Sequence, residues 1–215
     1  MTMNIKNLTA LLLVLFSITA CEKNPDMSEM DGDFTVYTQY DPDFKFSEAS
    51  TFYLADSILV AGQGLKNEYW KNENAQELIS QVESEMEQRG YTRCMEKDSA
   101  NVGIQMTYIE NDVNMTTFVG SYWDGWWNPG YWGPYWGGGW YMSYPVSYQY
   151  TTGAIVMEMV NLSNVDKTKA SSTNRLPIVW HANSEGMLSY NSRVNMALIQ
   201  RAIEQSFRQS PYISK

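Results

Sequence analysis

Between Ser121 and Tyr144 the chain reads SYWDGWWNPGYWGPYWGGGWYMSY. Six of the 8 Trp and five of the 15 Tyr fall in this stretch, with six Gly, two Pro and one charge, Asp124. Gly and Pro at this density exclude a helix. On either side the pattern switches to a two-residue period. Val102, Ile104, Met106 and Tyr108 alternate with more polar residues before it, and Tyr144, Val146, Tyr148, Tyr150 and then Ile155, Met157 and Met159 alternate after it. Alternation of this kind marks half-buried strands. Strands around 102–118 and 145–162 therefore predict a long antiparallel hairpin whose connection is the aromatic segment. A structureless connection of this length is uncommon inside a compact domain and is often functional.

Three readings of the segment follow from its size. Each large aromatic can bury about 150–250 Å², so eleven of them exceed the few hundred Å² of apolar patch that a monomer ordinarily exposes. The segment can fold back over the open face of the sheet. It can form a binding platform of Trp123, Trp126, Trp127, Tyr131, Trp132, Tyr135, Trp136 and Trp140. On such a platform a glycan would stack its C–H faces on the rings, or a protein partner would use the Trp and Tyr as anchors. It can instead touch a membrane surface, where Trp and Tyr favour the interface.

The remaining elements follow the same patterning. Phe34 to Tyr40 alternates and is stopped by Asp41-Pro42-Asp43, and Thr51 to Ala55 forms a second short strand. Residues 61–73 are polar and contain Gly, which predicts a loop. Asn74 to Arg89 carries Ala75, Leu78, Ile79, Val82 and Met86 on one helical stripe, with Glu73, Glu77, Glu83, Glu85 and Glu87 mostly on a solvated side. Asn74 with Glu77 resembles a capping box, and Gly90 occupies the left-handed C-terminal position. Ala154 to Val160 and Leu176 to Ala182 are strands, the latter with Ile178 and Trp180 on one face. A final helix over residues 191–208 buries Met196, Ile199, Ile203 and Phe207 before Pro211. The order β-β-α-β-β-β-α predicts an α+β domain: a mostly antiparallel sheet, two helices packed on one face, and a long aromatic loop between the central strands.

The first 32 residues are of another kind. Lys6 precedes a short apolar run from Leu8 to Ile18, too short for a membrane-spanning helix but sufficient for an export signal. Thr19 and Ala20 then lead into Cys21, a pattern that resembles the lipobox of bacterial lipoproteins. The resemblance implies cleavage before Cys21, a diacylglycerol thioether on its sulfur and an acylated amino group. Such multiple acylation anchors stably. Residues 1–20 are thus expected to be a signal peptide, 21–32 a lipidated cysteine with an acidic tether, and 33–215 a single domain. The expected partner is the membrane, through that lipid, with no other cofactor.

Charge and composition exclude several classes. With 24 acidic against 15 basic residues, the formal charge is −9, which opposes nucleic-acid binding. One His and 2 Cys leave no metal cluster or disulfide framework. Cys94 then reads as a small buried hydrophobe.

Several short pieces in order resemble the DUF4136 family of bacterial lipoproteins. They are Tyr40-Asp41-Pro42, Arg89-Gly90-Tyr91, Ala100-Asn101-Val102, the Trp/Gly/Tyr-rich insert, Gly153-Ala154-Ile155-Val156, Leu176-Pro177-Ile178-Val179-Trp180 and a closing helix with Phe207 and Pro211. Together they span roughly residues 34 to 212. The chain departs from the family pattern at Asn101, where the family tends to carry Asp. The resemblance implies a Gram-negative host and the outer membrane, and no established activity. It also implies O-glycosylation at Asp-Ser-apolar triplets, which places Ser57 and Ser99 as candidates.

No catalytic constellation emerges. His181, the single imidazole, lies on the strand face opposite Trp180 and lacks a nucleophile elbow, so a structural role is expected. Glu158 sits between Val156 and Val160 on an apolar strand. Burial there would raise its pKa, whereas an edge or solvent-facing position is the expectation. The predicted function is a non-catalytic cell-envelope lipoprotein with a structural or binding role, through the aromatic loop toward a glycan, protein or membrane surface. The alternative is a glycan-active hydrolase using paired carboxylates.

Overall fold

The computed structural model describes residues 34–61, 68–109, 113–117, 122–123, 140–142, 146–150, 153–163, 176–186 and 192–215. In chain order the strands are β1 (Phe34–Tyr40), β2 (Thr51–Leu54), β3 (Ile58–Ala61), β4 (Glu68–Trp70), β5 (Thr92–Cys94) and β6 (Val102–Ile109). They continue as β7 (Val113–Thr117), β8 (Tyr122–Trp123), β9 (Trp140–Met142), β10 (Val146–Tyr150), β11 (Ile155–Asn161) and β12 (Leu176–Gly186). Helix α1 (Glu73–Gln88) follows β4, and α2 (Ser192–Arg208) follows β12.

The alternating runs form the centre of the sheet. β11 lies between β6 and β12 and is antiparallel to both. Beyond the β6–β11 ladder, β7 and β10 pair antiparallel from Val113↔Tyr150 to Thr117↔Val146. Ile109 N donates to Ala154 O at 2.9 Å and Gly153 N to Ile109 O at 2.8 Å, joining the two ladders. The predicted hairpin is therefore present.

The sheet as a whole is mixed rather than mostly antiparallel. β2 and β3 run parallel to β6 and lie end to end along its outer edge, at Val102–Ile104 and Thr107–Ile109 respectively. β5 is parallel to β2, and β9 is parallel to β12. Parallel neighbours are joined by long crossovers, and alternation within one strand carries no record of the direction of a distant partner. The segment expected as a loop over 61–73 contains β4, which pairs antiparallel with β3.

Both helices pack into one apolar cluster with the sheet. Ala75, Leu78, Ile79, Val82 and Met86 from α1 and Ile199, Ile203 and Phe207 from α2 meet Phe52, Leu54, Val102, Ile104, Met106, Ile155, Met157, Met159 and Trp180. This is the helical stripe seated on alternate strand positions. The α1 cap is one turn-start earlier than expected. Asn72, not Asn74, is the N-cap, and its side chain accepts from Ala75 N. At the other end Gly90 N donates to Glu87 O and Tyr91 N to Met86 O, at 2.9 and 3.2 Å, with Gly90 at φ +89°. Those two bonds form a Schellman motif. A bulge interrupts the β11–β12 register between Met159 and Val160. It sends Val179 and Trp180 together into the helix-side cluster. Ile178, paired with Val160, is left on the other face, so Ile178 and Trp180 do not share a face as expected. Trp180 Nε1 donates to Ser210 Oγ at 2.9 Å, tying the segment after α2 to the sheet.

Candidate functional site

The face of the sheet away from the helices carries polar side chains at its centre. Glu158 on β11 is the cross-strand partner of Gln105 on β6 and of His181 on β12, and His181 is in turn opposite Gln39 on β1. One row of polar residues thus crosses four strands. The next row places Thr107, Val156 and Asn183 in register. Alternation explains the arrangement: the residues flanking Gln105, Glu158 and His181 on their own strands are apolar ones of the helix-side cluster.

These groups are buried. Glu158 and His181 are both 0% exposed, and Gln105, Thr107 and Asn183 are buried with them. The expectation that Glu158 sits at an edge or faces solvent is overturned, because β11 is internal to the sheet and the second face is covered as well as the first. Glu158 Oε1 lies 3.5 Å from His181 Nδ1. Neither carboxylate oxygen makes a hydrogen bond, so the imidazole offsets only part of the desolvation. Burial pushes the Glu158 carboxyl above the usual range, and the contact with His181 pulls it part of the way back. Gln105 Nε2 donates to Thr107 Oγ1 at 3.3 Å, and Asn183 Nδ2 to Glu185 Oε1 at 3.0 Å. Chemically this is a carboxyl with raised proton affinity beside an imidazole in a desolvated layer. Among the described residues no group of three or more His, Cys, Asp or Glu is placed to hold a metal ion.

The aromatic segment is mounted on the same sheet. Its two ends are β8 and β9, which pair antiparallel with Tyr122 opposite Tyr141 and Trp123 opposite Trp140. β9 joins β12 over Leu176–Ile178. Trp123 and Trp140 thus occupy facing register positions at the base of the segment. Trp126, Trp127, Tyr131, Trp132, Tyr135 and Trp136 lie outside the described residues, as does Cys21. Of the two glycosylation candidates, Ser57 is 2% exposed and donates to Asp56 Oδ1 at 3.2 Å. A sugar on that oxygen has no room without local rearrangement. Ser99 is exposed, at the end of a short 3₁₀ turn over Lys97–Ser99. Cys94 is half-buried rather than buried, with Sγ 3.7 Å from Ser99 O. No described helix is long and apolar enough to cross a membrane.

The sequence profile of DUF4136, a domain of unknown function, matches residues 36–212. The chain belongs to the DUF4136 family. A crystal structure of a DUF4136 family protein from Bacteroides thetaiotaomicron is 38% identical, with a TM-score of 0.69 over 86% of this chain and 99% of that one. A PelC dodecamer from Paraburkholderia phytofirmans is 13% identical, with a TM-score of 0.37 over 85% of this chain and 99% of that one. No curated protein matches the sequence.

The DUF4136 domain also contains a polar hub that sequence patterning passes over. Asn101 Oδ1 accepts from Ser50 N at 2.9 Å, Thr51 N at 3.1 Å and Thr51 Oγ1 at 3.0 Å. Its backbone N–H donates to Thr51 Oγ1, and its carbonyl accepts from Leu162 N at 2.8 Å. Asn101 thereby fixes the starts of β2 and β6 to the end of β11. The only sequence signal for it was its place at the family's departure from Asp.

Proposed function

We propose that this DUF4136 chain is a non-catalytic lipoprotein of the cell envelope, anchored in the outer membrane by lipid on Cys21. Its domain acts as a binding module that presents the aromatic segment to a glycan, an envelope protein or the membrane surface. The observation that carries this reading is the pairing of both ends of the segment. β8 and β9 extend the sheet through β12, so both ends of the segment are fixed on the sheet. Binding residues set on a rigid scaffold are the usual arrangement for recognition loops.

The test is tryptophan fluorescence of the chain in detergent, with iodide as quencher. Strong quenching that peptidoglycan fragments, glycans or lipid vesicles relieve supports the reading and names the partner class. Emission that is blue-shifted and unquenched from the start removes it. The anchor is tested separately: Cys21→Ser should move the protein from the membrane fraction to the soluble one.

A second reading makes Glu158 the acid of a glycan hydrolase, and its raised pKa favours that. Paired-carboxylate hydrolysis needs a second carboxyl within about 5–10 Å in an open cleft. The cross-strand neighbours of Glu158 are instead Gln105 and His181, and its own oxygens are fully buried.

A further inference from the structure

A cleft of about 560 Å³ opens where β1 ends, between the Asp41–Ala49 connection and the ends of β11 and β12. Its volume falls in the range of small-ligand sites, about 300–1,000 Å³. We infer that this cleft binds a neutral saccharide.

The lining combines three chemistries. Phe44, Pro177 and Val179 supply an apolar surface, Asp41 and Asp43 supply acceptors, and Asn161 supplies a donor. Asn161 is 9% exposed, and its Oδ1 accepts from Ser163 N at 2.9 Å. That bond leaves its amide N–H₂ as the donor available to an occupant. A sugar hydroxyl both donates and accepts, so it satisfies the carboxylates and the amide together, while the C–H face of the ring packs on Phe44.

Other ligand classes fit less well. An anion would meet Asp41, Asp43 and Glu48 against the single cation Lys45, which is itself paired with Glu48 at 3.4 Å. A simple cation offers nothing for the Asn161 amide to donate to, and the described carboxylates do not converge on a metal position.

The cleft is built in advance. Asp41 N donates to Val179 O at 2.9 Å, Asp43 N to Asp41 Oδ1 at 2.9 Å and Phe44 N to Asp41 O at 3.2 Å. Preorganisation lowers the cost of binding. The cleft also borders the stem of the aromatic segment, because Pro177 is the register partner of Tyr141 on β9. The inference nevertheless stands on the cleft alone and does not require the aromatic segment to bind anything.

The experiment is an NMR titration of the ¹⁵N-labelled full-length chain in detergent. The probes are cellotetraose, maltotetraose and N-acetylated chitotetraose, with tetragalacturonate as the anionic control. At least one neutral sugar should shift the amide resonances of Asp43, Phe44 and Ser163 saturably, and the anionic control should not. Asp43→Ala, at an exposed position, should weaken binding about fivefold through the lost acceptor. Asn161→Asp keeps the acceptor for Ser163 N, removes the donor and should weaken binding at least as much. Failure of every neutral sugar to shift these resonances at millimolar concentration overturns the inference, as does binding that both variants leave unchanged. Shifts confined to tryptophan indole N–H groups overturn the cleft and leave the role of the aromatic segment standing; shifts confined to the cleft support the inference and exclude these sugars as ligands of the aromatic segment.

Discussion

Replacing Asn101 separates an acceptor that is merely convenient from one that the fold requires. Its Oδ1 collects two backbone N–H groups at 2.9 and 3.1 Å and the Thr51 hydroxyl at 3.0 Å. Asn101→Ala removes these three contacts and a fourth, from Ser50 Oγ at 3.3 Å, at once. An orphaned buried donor costs about 1–3 kcal/mol, and these sites are only part-buried, so water recovers some of it. The net loss should be about 2–3 kcal/mol, or roughly 5–10 °C in Tm for a domain of this size. Asn101→Asp should behave oppositely. It restores the acceptor and charges it, and hydrogen bonds to charged groups are worth about 1.5–3 kcal/mol against about 0.5–1.5 for neutral ones. No described group accepts from the amide nitrogen that is lost. The aspartate variant should match or exceed the wild type at pH 7. Backbone donors hold such a carboxylate below its unfolded value of about 3.9, so its advantage is full above that pH and disappears as pH falls through the folded value. Thermal unfolding at pH 7 and pH 3 reads all of this. If the aspartate variant is as damaged as the alanine one at pH 7, or if the alanine variant is neutral, the hub reasoning is wrong.

Glu158→Gln should stabilise the domain increasingly as pH rises. The folded carboxyl titrates above its ordinary value of 4.5, so the unfolded chain ionises first and the wild type loses stability from that pH upward, until the raised folded value is passed. A glutamine variant less stable than wild type at pH 8 would show that the carboxylate is instead ionised and held by His181. Gly90→Ala should cost about 1–2 kcal/mol, because φ is +89° and a Cβ there would meet Lys215 Cβ at 3.2 Å; an unchanged unfolding midpoint refutes this. Burial pushes the Tyr91 phenol up to about 12, and its hydroxyl donates to Phe46 O at 2.9 Å. Absorbance titration of Tyr91→Phe should therefore lose a tyrosine transition near pH 12, at a cost of about 1 kcal/mol in stability.

Local periodicity was legible and long-range geometry was not. The alternation of Val102–Tyr108 and Ile155–Met159 marked β6 and β11, and the stripe from Ala75 to Met86 marked α1, because each residue's face is set by its own backbone period. β3 escaped because Ile58, Leu59 and Val60 form a continuous apolar run that is too short to show a period. The parallel partners of β6 and β12 lie far along the chain, and nothing within a strand states its neighbour's direction. At Val179 a single bulge reversed the facing of Ile178, which a strict two-residue count cannot anticipate. Glu158 was misplaced for a related reason. Whether a polar position is covered depends on what packs on the second face, and that covering comes from elsewhere in the sequence. The cleft is the extreme case, since Asp41, Asn161 and Pro177 meet only after three separate segments have folded.

The contacts made by β12 and by the segment after α2 bear on the order in which the domain can be completed. Among the described strands β1 pairs with β12, Trp180 is tied to Ser210, and Lys215 N donates to Arg89 O at 3.0 Å. A nascent chain interrupted anywhere before Leu176 has therefore left β1 and one side of β11 as open edges, with α1 lacking the apolar residues that α2 adds to the cluster. Whatever is joined after Lys215 therefore begins beside the α1 cap and must leave that contact intact.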